Sequence, residues 1–337
     1  MFCDVRYGSM AGGVAETGEM RNARTCNFPR TAAAVAFLFV VLFPLASYAG
    51  TISLPPEARE AMDAMYGGDP DAAIPIAHAL QQAQPDHPLG YLLEAEALWW
   101  KRYCATCEIR YGMVDAWKRG KLPQDEVYLS VADKEIRSAE GMLEKSESAE
   151  LHVYAGFGYA LKARVYGLRG ESRNVARSAV KGRAEMLRAL ELDPQMADAT
   201  AVLGVYNYYV DTLSPIVKLL RVFMGIPGGN KADGIKQLQA GIDQGVLMAV
   251  DSRFILASLL RQYDQKYDQA LDAAEPLAER YPHNALFLLL AGNLSLELGR
   301  KEKAAEYFRA AQQAPIPDSS CSARLREITQ SLLASAQ

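Results

Sequence analysis

The chain has 337 residues, half of them hydrophobic, with 23% charged residues and a formal net charge of −4. That is ample apolar material for a large core. The mild acidic balance lacks the basic footprint of a nucleic-acid binder, so no nucleic-acid partner is expected.

The N-terminal stretch stands apart from the rest. Arg21, Arg24 and Arg30 precede a nearly pure apolar run from Thr31 to Phe43, Pro44 follows, and Ser47-Tyr48-Ala49 supplies small residues two apart. A charged segment, a short apolar core and a small-x-small exit form the layout of a secretory signal peptide, and the run is shorter than the roughly 20 residues of a spanning helix. Residues 1–49 are therefore expected to be a cleaved leader, with an uncleaved N-terminal anchor as the alternative. Residues 1–19 are polar and glycine-rich, and Met20 opens a segment that is complete as a leader by itself, so Met20 is the expected true start. The expected compartment is the periplasm or cell envelope. Cys3 and Cys26 would leave with the leader; Cys104, Cys107 and Cys321 would remain where disulfides persist.

Beyond the leader, helical hairpins follow one another. The first shows as GDPDAAIPIAHALQQAQPDHP, Gly68 to Pro88. Residues 149–170 and 171–192 form a longer pair that ends in LRALELDP, Leu187 to Pro194. Leu203-Gly204 then opens a unit whose second helix resumes only near Gly234-Ile235. About 18 residues beyond the usual repeat length are inserted there, over residues 212–230. Residues 251–284 keep the register through Ala270, Ala274, Leu277 and Pro282. The clearest unit runs from Ala285 to Ala314, with Gly292, Ala304, Phe308 and Ala311 as nesting positions and Gly299 at the turn. Ser320 to Ala334 reads as an amphipathic closing helix. No alternating strand pattern of useful length appears, and kinks are expected at Pro75 and Pro276 inside second helices.

Small residues recurring at about 34-residue intervals resemble the tetratricopeptide repeat (TPR). The resemblance covers Pro55 to Ala314. It implies an all-α, right-handed α-solenoid of antiparallel helical hairpins over residues 50–318, roughly five in number, with one inserted segment and a closing helix over 319–337. Residues Gly204 to Gly245 (GVYNYYVDTLSPIVKLLRVFMGIPGGNKADGIKQLQAGIDQG) also resemble the insert-bearing repeat of bacterial exported TPR proteins and, more distantly, the tetratricopeptide repeat protein 39 family. That resemblance implies a helical-repeat adaptor without catalysis or cofactor, bound to a protein or peptide partner.

Stacked TPR units line an inner groove with their first helices. In this register Val205, Tyr208 and Tyr209, then Ile255, Leu259 and Tyr263, then Leu289, Asn293 and Leu296 face it. Tyrosines suit interfaces because they present a large amphipathic surface at low entropy cost. The other reading is that several of these side chains simply pack. Cys104-Ala-Thr-Cys107 lacks the following His of a haem site, the preceding strand of a thioredoxin-like pair and the further paired ligands of a zinc site. A local Cys104–Cys107 disulfide, or two packed thiols, is expected, with Cys321 left over; the alternative function for the chain is a redox or metal-binding factor that uses Cys104 and Cys107. His78, His87, His152 and His283 read as structural; Arg173, Arg177 and Lys181 read as a solvated stripe, with a clamp for an acidic peptide as the alternative. No metal site or catalytic grouping stands out. Residues Ile216 to Ile226 form a short basic amphipathic stretch. It is expected to pack its apolar side inward, the alternative being weak contact with a membrane surface or a partner helix.

Overall fold

The computed structural model describes residues 52–117, 120–223, 225–317 and 319–336. The expected leader and its start at Met20 lie outside them. Asp69 caps the start of the second helix by accepting from Ala72 N at 3.0 Å, Ser148 and Asn230 do the same for later helices, and Gly170 and Gly299 end theirs or turn the chain in the left-handed conformation.

The helices pair as antiparallel hairpins: α1 (Pro56–Tyr66) with α2 (Pro70–Ala83), α3 (Leu89–Thr106) with α4 (Asp125–Leu143), and α5 (Ala149–Arg169) with α6 (Ser172–Leu192). Next come α7 (Ala197–Thr212) with α9 (Lys231–Gln244), α10 (Ala249–Leu259) with α11 (Tyr267–Arg280), and α12 (Ala285–Glu297) with α13 (Lys301–Gln313). The short α8 (Pro215–Phe223) is inserted in the fourth pair, and α14 (Ser319–Ala336) packs on α13. The fold is thus an all-α helical solenoid. Among the described residues six pairs are present rather than roughly five, because the turn of the α3–α4 pair is too long to show as a repeat. The helices of residues 70–83 and 267–280 run through Pro75 and Pro276 without interruption.

Two close approaches hold the nested pairs. A Cβ on Gly204 of α7 would lie 2.9 Å from Gly234 O and Leu238 N of α9. One on Gly292 of α12 would lie 2.4 Å from the fully buried ring of Phe308 on α13. Glycine is needed at both sites because no side chain fits between the helices.

First helices pack on their neighbours in turn, α1 on α3, α3 on α5, α5 on α7 and α7 on α10, and so define an inner face. The first hairpins also turn back against the last ones. The Trp100 ring meets Phe254 at 5.0 Å and Phe287 at 5.5 Å between centroids, and Tyr103 meets Phe254 at 5.3 Å. Tyr66 donates to Asp251 at 3.2 Å, and Asn284 donates to the Tyr66 carbonyl at 2.9 Å while capping α12. Edge-on aromatic contacts of this kind join elements over and above their buried area.

The sequence shows no strand, yet residues 107–116 form one hairpin. β1 (Cys107–Arg110) pairs antiparallel with β2 (Met113–Ala116), with Ile109 opposite Val114. Four-residue strands are too short for alternation to register, and an isolated hairpin of this size is marginal in water. It persists because it lies against α12 and α14.

Candidate functional site

The predicted groove residues divide into two sets. Tyr208, Leu259, Leu289 and Asn293 are buried; Val205, Ile255 and Leu296 are half-buried; Tyr209 and Tyr263 are exposed. Tyr208 is a packing residue whose hydroxyl donates to Leu259 O at 3.2 Å. Tyr209 and Tyr263 meet edge to face at 6.0 Å. They form the part of the predicted set that a partner could touch without rearrangement.

Of the buried members, Asn293 faces the β-hairpin. Asn293 accepts from Val114 N at 2.9 Å and donates to Gly112 O at 3.4 Å. Arg261, in a π-helical turn at Leu260–Asp264, donates to Val114 O and to the Asp115 carboxylate, each at 3.0 Å. Tyr103 donates to the other Asp115 oxygen at 2.9 Å. The chain's own strand therefore lies on the inner face at Asn293, one of the residues expected to meet a partner, and at Arg261 beside it. No local pattern signals this, since the contact joins residues 179 positions apart.

The cysteines correct the expectation directly. Cys104 is bonded to Cys321, with Cα atoms 5.5 Å apart, and not to Cys107. α14 packs on α3 and β1, which brings Cys321 beside the end of α3. Cys107 ends that helix and begins β1, and its thiol points back to Tyr103 O at 3.1 Å. Arg324 of α14 also reaches the Cys107 carbonyl, fastening the root of the hairpin.

Behind the hairpin lies a buried charge cluster that the sequence did not reveal. Arg164 donates to both Glu96 oxygens at 2.9 Å and stands 3.8 Å from Asp251. Glu135 is fully buried, and neither of its oxygens has a hydrogen-bond partner. Burial raises Glu96, Asp251 and Glu135 above the ordinary carboxylate range; Arg164 opposes the rise at all three, and neighbouring carboxylates add to it at Glu96 and Glu135. A proton kept on Glu135 removes the cost of an unpaired buried charge. Among the described residues no group of three or more His, Cys, Asp or Glu side chains could hold a metal ion. His152 sits between Glu185 (2.7 Å) and Glu147 (3.2 Å), and His87 accepts from Leu89 N at 3.2 Å.

On the inserted α8 one row of apolar side chains is turned outward, and Leu220, Phe223 and Met224, on which the expected inward packing also depends, lie outside the described side chains. Ile216 is 73% exposed, Leu219 60% and Val222 67%, while Lys218 turns back to Asp211 at 2.9 Å. The Lys218–Asp211 pair ties the helix to the end of α7. No described helix is long and apolar enough to cross a membrane. An open depression of about 460 Å³, lined by Asp86, His87, Lys145 and Leu151 among others, lies apart at inter-helix turns.

This architecture is that of a helical-hairpin repeat protein whose inner face is partly filled by its own chain. The tetratricopeptide repeat family model matches residues 259–319, a stretch that spans α11, α12 and α13. No curated protein matches the chain in sequence. Among solved structures, the TPR2AB domain of yeast Sti1 in complex with pHSP90 is 14% identical, covers 83% of this chain and 96% of its own, and has a TM-score of 0.29. The TPR domain of P58(IPK) is 12% identical over 83% of this chain and 98% of its own, with a TM-score of 0.24.

Proposed function

We propose that this protein is an exported, non-catalytic scaffold that binds a protein partner in the periplasm or cell envelope. Repeat hairpins of the matched kind present extended surfaces for partners rather than enclosed reaction chambers. The observation that carries the reading is α8. An inserted helix with Ile216, Val217, Leu219 and Val222 turned outward is an unpartnered apolar surface held on a rigid frame. Scattered apolar residues on a surface need no explanation, but a helical face of them marks a contact site. Tyr209, near the root of α8, extends the surface with an amphipathic ring.

A protein partner fits this helix better than a lipid surface. Binding to anionic lipid relies on basic side chains reaching the headgroups. Here Lys218 is paired with Asp211, and Arg221 lies against the Gly228 backbone with two of its nitrogens buried. The arginine-led apolar segment of residues 21–49 supports export, and the Cys104–Cys321 bond suits an oxidising compartment. A redox role for a Cys104–Cys107 pair loses its footing, since Cys104 is committed elsewhere.

The test is an affinity capture from envelope extract with the intact protein and an Ile216→Ser/Leu219→Ser/Val222→Ser form. These side chains are exposed, so circular dichroism should be unchanged while the captured partner is lost. Equal capture by both forms would refute the role of α8. A bulk cytoplasmic location of the tagged chain would refute export.

A further inference from the structure

Asn293 and Arg261 are 1% and 3% exposed, on an inner face otherwise built from residues such as Leu259 and Leu289. A face meant only to pack would carry apolar side chains at these positions, because a buried amide and a buried guanidinium are costly unless hydrogen-bonded. The bonds they make have a definite form. The Asn293 amide donates to the carbonyl of Gly112 and accepts from the N–H of Val114, two residues on, as a neighbouring strand would. Arg261 takes the Val114 carbonyl with one nitrogen and the Asp115 carboxylate with another. Val114 is buried between them. Together these groups read an extended backbone, an apolar side chain and then an acidic one. Main-chain bonds supply affinity in this mode and side-chain pockets supply specificity.

The segment in the seat is built to leave it. The N–H and C=O of Val114 that bind Asn293 and Arg261 point away from β1, so these bonds belong to no sheet ladder. The strands are four residues each, and the tip places Tyr111, 89% exposed, at a left-handed φ of 52°. Arg261 itself sits in a π-helical turn, a local irregularity that recurs at functional sites.

We propose that β2 is an internal pseudo-ligand. The Asn293–Arg261 pair is a peptide seat for an extended partner segment with an apolar residue followed by an acidic one, and residues 112–115 of the chain itself fill that seat until such a partner displaces them. The inference rests on the interaction-scaffold reading and assigns it a second, regulated surface distinct from α8. The tethered strand competes at high effective concentration, so the apparent affinity for a partner falls by the fraction of molecules with an open seat.

The probe is a labelled synthetic peptide with the sequence of residues 110–117, titrated into the full chain. Val114→Pro removes the N–H that Asn293 accepts and, at an outward-facing position, leaves the β1–β2 ladder intact. Combined with Asp115→Ala, it should empty the seat and tighten peptide binding at least about tenfold. Adding Arg261→Ala should abolish that gain, as should an alanine at the Asp115 position of the peptide. A folded Val114→Pro/Asp115→Ala protein that gains no binding would overturn the proposal. So would binding indifferent to Arg261→Ala. If that protein does not fold, the unaltered chain decides: millimolar peptide should speed amide exchange in residues 112–116 by about tenfold, and no change would overturn the seat. The Ile216→Ser/Leu219→Ser/Val222→Ser form should bind the peptide as the parent does. Loss of the seat with partner capture intact would therefore leave the scaffold reading standing.

Discussion

Gly204→Ala tests the helix nesting at its tightest point. The added methyl would stand 2.9 Å from Gly234 O, Leu238 N and Gln237 Cβ, and the first two of these are backbone atoms of α9. A side chain could turn aside, but two backbones can separate only by moving a whole helix. Alanine gains about 1 kcal/mol over glycine in a helix interior. Overpacking of a close contact costs about 1–3 kcal/mol, and this one falls at the upper end because backbone must shift. The net expectation is a loss of about 1–2 kcal/mol. Gly141 in α4 has nothing within 4 Å of its Cβ position, so Gly141→Ala should instead stabilise by up to about 1 kcal/mol. Urea unfolding followed by far-UV circular dichroism reads both. If Gly204→Ala stabilised the protein as Gly141→Ala does, the nested packing of α7 and α9 would be wrong.

The buried carboxylates make stability depend on pH in an unusual direction. Burial raises Glu96, Asp251 and Glu135, so the folded state holds more protons than the unfolded one above the ordinary carboxylate range. Stability should fall from pH 5 to pH 8, with a slope of at most about 1.4 kcal/mol per pH unit for each proton concerned. Exposed Glu147 and Asp211 are held low by Arg188 and Lys218, and their stabilising effect is lost only at more acidic pH. Urea midpoints at pH 5, 6.5 and 8 should decrease in that order, and Glu135→Met should flatten the trend; a rise across the window would contradict the cluster. Reduction of Cys104–Cys321 should lower stability, because the bond joins residues 217 apart. The chain-entropy relation gives about 5 kcal/mol as an upper bound. Thermal melts with and without reductant read this, and peptide mapping that finds Cys104 joined to Cys107 would refute it.

The hairpin architecture was legible where small residues mark the contacts. Gly292, Ala304 and Phe308 identified the last pair because a glycine facing a phenylalanine has few explanations other than helix nesting. The length of the insert around α8 followed from the delayed return at Gly234. The orientation of α8 did not, since an amphipathic period specifies a face without specifying what covers it. Tyr208 and Tyr209 show the same limit within one repeat. Both are groove positions by register, yet one is fully buried and the other exposed, because the path of the neighbouring helices decides. The β-hairpin and the Cys104–Cys321 bond were out of reach for a further reason. Each depends on the first hairpins folding back onto the last, and side chains such as Trp100 and Phe254 look like ordinary core in the sequence. Asn293 was the one amide side chain in the predicted groove, and with Arg261 it holds the strand.

The most direct measurement is hydrogen exchange at the Val114 amide. With Asn293 accepting that N–H at 2.9 Å on a closed inner face, exchange should be strongly protected, and Asn293→Ala should release the protection in a chain that stays folded. Exchange at the rate of an open loop in the unaltered protein would show that the inner face is vacant and that the strand does not occupy it.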